Sequence, residues 1–332
     1  MRIGLPRALL YYWFGPAWKA FVQEIRQTPV VSRMTTKEVL KQGVRVGVEE
    51  ACLPVKVYLG HCLSLMSECD LLLVPRIVNL RKKEFICPKF MGLPEMVKRA
   101  VTDEYGPEGR ERVLVWKSDH RSFWDTPQAL PAYLRKLAGP GRIKTGLNRA
   151  KQVWREYRTL LHQGYLPDEA EEKLAGKTVH RREQGKVGLG VIGHPYCLYD
   201  SFLNMHLLAL LQRGEYNYAV FTPELFSEEE LSAEVADLPK PIFWTLGRRM
   251  LGAVRSLRKK HVAGIIHLAA FACGPEALIG ELIRRECQSH RLPLLQINLD
   301  EHSGEAGLLT RIEAFLDLID TRAHGREGIG CG

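Results

Sequence analysis

The chain has 332 residues, with 47 Lys and Arg against 38 Asp and Glu and a formal net charge of +9 at pH 7. That length suits two domains better than one, and 45% hydrophobic with 26% charged residues is a globular composition. No apolar run reaches the roughly 18 residues that span a bilayer, the basic residues are dispersed with no nucleic-acid-reading motif among them, and eight cysteines without a C-x-x-C pair make neither a disulfide scaffold nor a zinc ribbon.

In chain order, "RIGLP" reads as a first buried strand. Pro6 and Arg7 break what would otherwise be the apolar part of a leader, and no A-x-A site follows, so a cytoplasmic protein is expected. Thr28 to Ser32 is a second strand. Thr35-Thr36-Lys37-Glu38 reads as a capping box opening a helix to about Gly47. "VKVYLGHCLSLM" has helical spacing. "CDLLLVPRIV" (69–78) is a continuous apolar run, the pattern of a strand buried on both faces. A helix from Pro88 to Arg99 and a strand over 112–118 follow.

Residues 120–185 are rich in Arg, Lys, Gln, Glu and Leu, and read as helices at 127–138 and 143–163 followed by a polar segment. The strand–helix rhythm then resumes. Strands are expected at 186–195, 217–223, 262–275 and 292–304, with helices at 201–214, after Pro275 and after Gly304. Alternation of this kind implies parallel sheets with right-handed crossovers. The fold class is therefore α/β, two flavodoxin- or Rossmann-like parallel-sheet domains with a helical insert. The expected divisions are 1–120, 121–185, 186–325 and a flexible tail over 326–332. Ligands of such sheets collect at the carboxyl ends of the strands.

That rule sorts the cysteines. Cys52 precedes Leu53-Pro54, Cys87 precedes Pro88, and Cys273 precedes Gly274-Pro275. Proline is favoured in the first turn of a helix. All three thus sit at helix starts, where unpaired N–H groups and the dipole favour a thiolate. Cys62 and Cys287 fall inside helices and Cys69 begins a strand, which suits apolar packing. Cys197, in "GHPYCLYD", follows a strand end and is a candidate fourth ligand. Three junction thiolates suit a cubane cluster with one iron left open. Zinc and purely structural thiols remain the alternatives on spacing alone.

The blocks "IGLPRALLYYWFGPAWKAF", "EEACLPVKVYLGH", "FICPKFMGLPEM", "GHPYCLYD", "FACGPEALIGELI" and "LDEHSGEAGLLTRIEAF" together resemble the acyl-CoA dehydratase activase-related proteins of the 2-hydroxyacyl-CoA dehydratase superfamily. The resemblance runs from residue 2 to about 320 and is weakest over 120–185. It implies a [4Fe–4S]-type cluster on Cys52, Cys87 and Cys273, either alone or as half of a double cubane shared across a homodimer. It also implies an ATP-dependent activase or reductase, or a dehydratase subunit, as partner, an acyl-CoA as candidate substrate, and an anaerobic setting. The chemistry would be low-potential electron transfer or dehydration. Neither nucleic acid nor membrane is an expected partner. A nucleotide-hydrolysing role fits poorly. No D-x-G-[ST]-T loop is present, and "AGKT" at 175–178 has Glu171 where a phosphate loop needs its first glycine.

Candidate acid–base groups are Glu50, beside Cys52, together with His194, Glu301 and His302 after strand ends. Arg76, Lys82, Lys83 and Lys89 flank Cys87 and could hold CoA phosphates or offset cluster charge. Two other classes stand beside this reading: an accessory scaffold that docks an activase or dehydratase subunit, and a thiol nucleophile in acyl transfer.

Overall fold

Both faces of β1 (Arg2–Leu5) are covered, as an inner strand of a parallel sheet requires. The structure, a computed structural model, describes residues 1–118, 127–179, 187–212, 218–302 and 304–327. The tail with Cys331, the last part of the polar segment before residue 187 and the helix stop expected at Gly214 lie outside the described residues.

After β1 come α1 (Tyr11–Glu24), β2 (Thr28–Val31), α2 (Lys37–Val46), α3 (Leu53–Leu65), β3 (Leu71–Ile77), α4 (Pro88–Glu111) and β4 (Val113–Ser118). They form a four-stranded sheet, β2-β1-β3-β4, parallel throughout. β3 carries Pro75, which has no N–H for a ladder. Its pairing with β1 stops at Leu72, so Pro75 has a strand neighbour on the β4 side alone. The carboxyl end of β3 thereby projects past β1.

α2 opens at Thr36, whose hydroxyl accepts from the Val39 N–H at 3.3 Å. The capping box expected from Thr35 and Glu38 does not form, because the Thr35 hydroxyl is instead 2.9 Å from His61 Nε2 in the interior. α2 and α3 touch backbone to backbone: a Cβ on Gly43 would overlap the Lys56 carbonyl, and one on Gly60 the Val39 carbonyl. Arg112, just before β4, donates to the carbonyls of Met66 (2.5 Å), Cys69 (2.6 Å) and Asp70 (3.2 Å), which satisfies acceptors left open beyond the end of α3.

α5 (Ala132–His162) and α6 (Pro167–Leu174) follow. The two helices expected over 127–163 are one element with a break at Gly139, where φ is +75°, a value that glycine reaches without strain. α4 likewise continues past Arg99, with its own break at Gly106. The buried face of α5 packs on α1: Gly146 lies against Phe21 and Ile25, Trp154 stacks on Phe14 at 6.3 Å, and the Tyr157 hydroxyl donates to the Tyr12 carbonyl at 2.8 Å.

β5 (Gly188–Gly193), α7 (Pro195–Leu198), α8 (Leu207–Leu211), β6 (Ala219–Phe221), α9 (Glu228–Ala233), α10 (Thr245–Lys259), β7 (Gly264–Ala270), α11 (Gly274–Ser289), β8 (Leu294–Leu299) and α12 (Glu305–Glu327) complete the chain. Their sheet runs β6-β5-β7-β8, again all parallel. Of the helix expected over 201–214, the described residues form α8, preceded by turns. Asp200 Oδ1 accepts from the N–H groups of Phe202 and Leu203, and Asn204 donates to the Leu198 carbonyl, so side chains take the bonds a helix would use.

By contacts the chain divides into one unit of Met1–His180 with Ile242–Leu246, and another of Arg181–Pro241 with Gly247–Gly332. Residues 242–246 reach the first unit through a bridge between Phe85 and Trp244. The two sheets share one strand order, with the first strand between the second and third. Each therefore has its topological switch point at the carboxyl ends of its first and third strands. The two first strands end alike, in Ile3-Gly4-Leu5-Pro6 and Ile192-Gly193-His194-Pro195. Among the described residues, no helix is long and apolar enough to cross a membrane.

Candidate metal centre

Cys52, Cys87 and Cys273 are the N-cap residues of α3, α4 and α11, and each helix carries a proline in its first two positions. The proline fixes the helical φ of the first turn and supplies no N–H, so it suits a position whose donor would be unpaired anyway. The cysteine ahead of that first turn is held outside the helical region of φ and ψ. Exposure separates these three from the rest. Cys52 and Cys273 keep 8% and 9% of their surface, while Cys62 and Cys197 keep none and Cys287 1%. Cys87 is half-buried. Burial pushes the Cys62 and Cys69 thiols up and Cys287 up to about 12.

In the first unit two of these helix starts adjoin. Lys89, in the first turn of α4, donates from Nζ to the Glu50 carbonyl at 3.1 Å, two residues before Cys52. Cys52 itself packs with Ala51, Val55 and, from α4, Met96. The Glu50 side chain points to solvent, Lys82 is exposed, and Arg76 is half-buried near the end of β3.

The point after β1 in the same unit holds Arg7. It pairs with Asp168, lies over the Tyr11 ring at 5.8 Å, and donates its backbone N–H to Ser32 Oγ at 2.8 Å. His61 is wholly buried, and burial together with the nearby Arg7 charge lowers it to about 3, so it is neutral.

In the second unit the switch point gathers a polar group. His194 follows β5 and Cys273 follows β7, the two central strands, and Glu276 stands in the first turn of α11. One ligand atom from each of the three lies within 4.8 Å of the others. His194 Nδ1 is 2.8 Å from the Tyr196 hydroxyl and 3.5 Å from Glu276 Oε2. Glu276 Oε2 accepts from the Ala270 N–H at 2.9 Å, which ties the helix start to the strand end, and Oε1 lies 3.4 Å from His267 Nε2. Burial opposes ionisation of Glu276. Even so, His194, His267 and the Ala270 N–H together hold its carboxyl below the usual carboxylate range. Burial keeps His194 below the usual imidazole value despite the pull of Glu276. The pair is thus carboxylate and neutral imidazole beside a sulfur, with the Tyr196 hydroxyl at Nδ1 and the Ala270 N–H at Oε2.

Residues 2–226 match the family described as CoA enzyme activase uncharacterised domain. The chain belongs to that family. Residues 226–319 match a second, 2-hydroxyglutaryl-CoA dehydratase, D-component. The chain is thus an acyl-CoA dehydratase activase-related protein, as the six motif blocks imply. No curated protein matches it.

This activase-related chain distributes the other sequence candidates unevenly. Glu301 and His302 follow β8, the edge strand. His302 is exposed, and its backbone N–H donates to Asp300 Oδ1 at 2.7 Å. Cys197 lies within α7 with no exposed surface. Sequence reasoning missed His267, which has 0% exposure in the middle of β7 and faces Glu276. The signal was present: an imidazole inside an otherwise apolar strand has to find a polar partner. It also missed Arg249, which is buried against Glu224 at 3.4 Å and against Glu228.

Proposed function

We propose that this protein is an electron-accepting iron–sulfur component of a 2-hydroxyacyl-CoA dehydratase-type system, with Cys52, Cys87 and Cys273 holding a [4Fe–4S]-type cluster. The observation that carries the reading is the shared position of these cysteines, each an N-cap before a proline-bearing first turn. The donor set fits. Thiolates bind iron–sulfur clusters, and helix N-termini offset the negative charge that such a cluster carries. When bound, a cubane on three cysteines supplies low-potential electrons and one iron open to an exogenous ligand.

This chain's own residues do the rest. Lys89 tethers the Cys52 and Cys87 helix starts. Arg76 and Lys82 supply positive charge near the Cys87 block, suited to CoA phosphates or to the cluster. His194 and Glu276 hold a proton acceptor beside Cys273. Cys197 packs. In this reading Glu50, Glu301 and His302 take part only where a substrate or partner reaches the rim. The partner is an ATP-dependent activase or a dehydratase subunit, because no phosphate loop is legible in this chain. Anaerobic reconstitution with iron and sulfide tests the proposal. About four irons per chain with charge-transfer absorbance and a reduced-state EPR signal are expected, all lost in the Cys52→Ser/Cys87→Ser/Cys273→Ser variant. An iron-free wild-type chain ends the reading.

A further inference from the structure

We infer that the second unit alone binds a single divalent transition-metal ion, of the zinc or ferrous class, through Cys273, His194 and Glu276. This rests on Cys273 being a ligand, as proposed above, but requires neither a cluster nor Cys52 and Cys87.

The donor set is one sulfur, one imidazole nitrogen and one carboxylate oxygen, all within 4.8 Å of one another. A tetrahedral ion with bonds of about 2.0–2.3 Å needs ligand separations of about 3.3–3.8 Å. The nitrogen–oxygen edge is already there, His194 Nδ1 to Glu276 Oε2 being 3.5 Å, and the sulfur lies within 4.8 Å of both residues' ligand atoms. Three protein ligands leave a fourth position for water or a substrate oxygen, the pattern of an open rather than a structural site.

A second observation points the same way. Glu276 is 2% exposed, yet its Oε1 makes no hydrogen bond, with His267 Nε2 nearby at 3.4 Å but out of line. A buried carboxylate with one oxygen left unsatisfied is costly, and a cation bound at its other oxygen offsets part of that cost. The Ala270 N–H already holds Oε2, a contact that orients the carboxylate, and the Tyr196 hydroxyl, 2.8 Å from Nδ1, gives way when that nitrogen takes the ion.

Cobalt titration of the full-length Cys52→Ser/Cys87→Ser variant under anaerobic conditions tests this. One equivalent of Co²⁺ should bind with a thiolate-to-cobalt charge-transfer band. The band should vanish on adding Cys273→Ser, and binding should weaken about tenfold or more in His194→Ala and in Glu276→Gln. A missing band, or one that survives Cys273→Ser, overturns the inference. Should the serine variant misfold, X-ray absorption on wild-type chain with one equivalent of zinc decides. One sulfur with two or three nitrogen or oxygen scatterers supports the site, and two or more sulfurs refute it. The iron–sulfide reconstitution of wild-type protein is independent, so either reading can fail without the other.

Discussion

The Lys89 ammonium donates to the backbone carbonyl of Glu50 at 3.1 Å, joining the loop before α3 to the first turn of α4. One hydrogen bond therefore couples two helix starts that each present a cysteine. Such a bond contributes about 1 kcal/mol to stability, so its loss should leave the fold intact while loosening the two cysteines. Lys89→Met is expected to lower the iron retained after reconstitution and desalting, with little change in Tm. Lys83→Met, on an exposed residue of the preceding loop, should retain iron like wild type. Equal retention in both variants would remove the tether from the argument.

Thiol reactivity should follow burial. Iodoacetamide at pH 8, read by peptide mass spectrometry on metal-free protein, should modify Cys87 first, then Cys52 and Cys273. Cys62, Cys69 and Cys287, whose thiols burial pushes up, should stay unmodified until the chain unfolds. Early labelling of Cys62 or Cys287 would contradict the packing described.

His61 makes stability pH-dependent. It is buried neutral and lowered to about 3, whereas in the unfolded chain it takes up a proton below about 6.5. The unfolded state then binds more protons, so stability falls as pH drops from about 6.5 toward 3, by about 1.4 kcal/mol per pH unit at most. Above about pH 7 the contribution is fully present. His61→Gln, which keeps a partner for Thr35, should flatten the urea-unfolding free energy between pH 6.5 and 4. A variant with the wild-type slope would show that other groups dominate.

Glu276 joins the start of α11, the end of β7 and two buried histidines. Removing its charge with Glu276→Leu leaves the Ala270 N–H without its acceptor and takes the carboxylate away from both histidines, and should cost about 3–5 kcal/mol. Glu276→Gln, which still accepts from Ala270, should cost clearly less. Chemical denaturation measures both, and equal losses would mean that volume rather than polarity is at issue.

Much of this architecture is legible in the sequence. The continuous apolar runs of β3 and β7 announce parallel sheets because inner strands have no solvent face. The cysteine N-caps are legible because proline can follow them only in a first turn. Other features are set by side-chain contacts that periodicity does not carry. "SFLNMHLLALLQRG" has helical spacing, but Asp200 and Asn204 divert its backbone bonds. Thr35 looks like a cap but belongs to His61, a residue 26 positions away. His267 hides in an apolar strand until α11 brings Glu276 against it. The metal group is only half legible for the same reason: Cys273 and Glu276 share one turn, while His194 arrives from a different strand.

The contact between Gly43 and Gly60 has a consequence for how this chain tolerates change. Alanine is the stronger helix former at both sites by about 1 kcal/mol, and any consensus or helix-propensity design would install it. Here the added methyl has nowhere to go but into a carbonyl of the opposing helix. α2 and α3 would have to part, and α3 carries Cys52 at its tip. The first cysteine is thus placed by atoms that are missing from the chain some eight residues away, and a stabilising substitution on paper becomes a displacement of a sulfur.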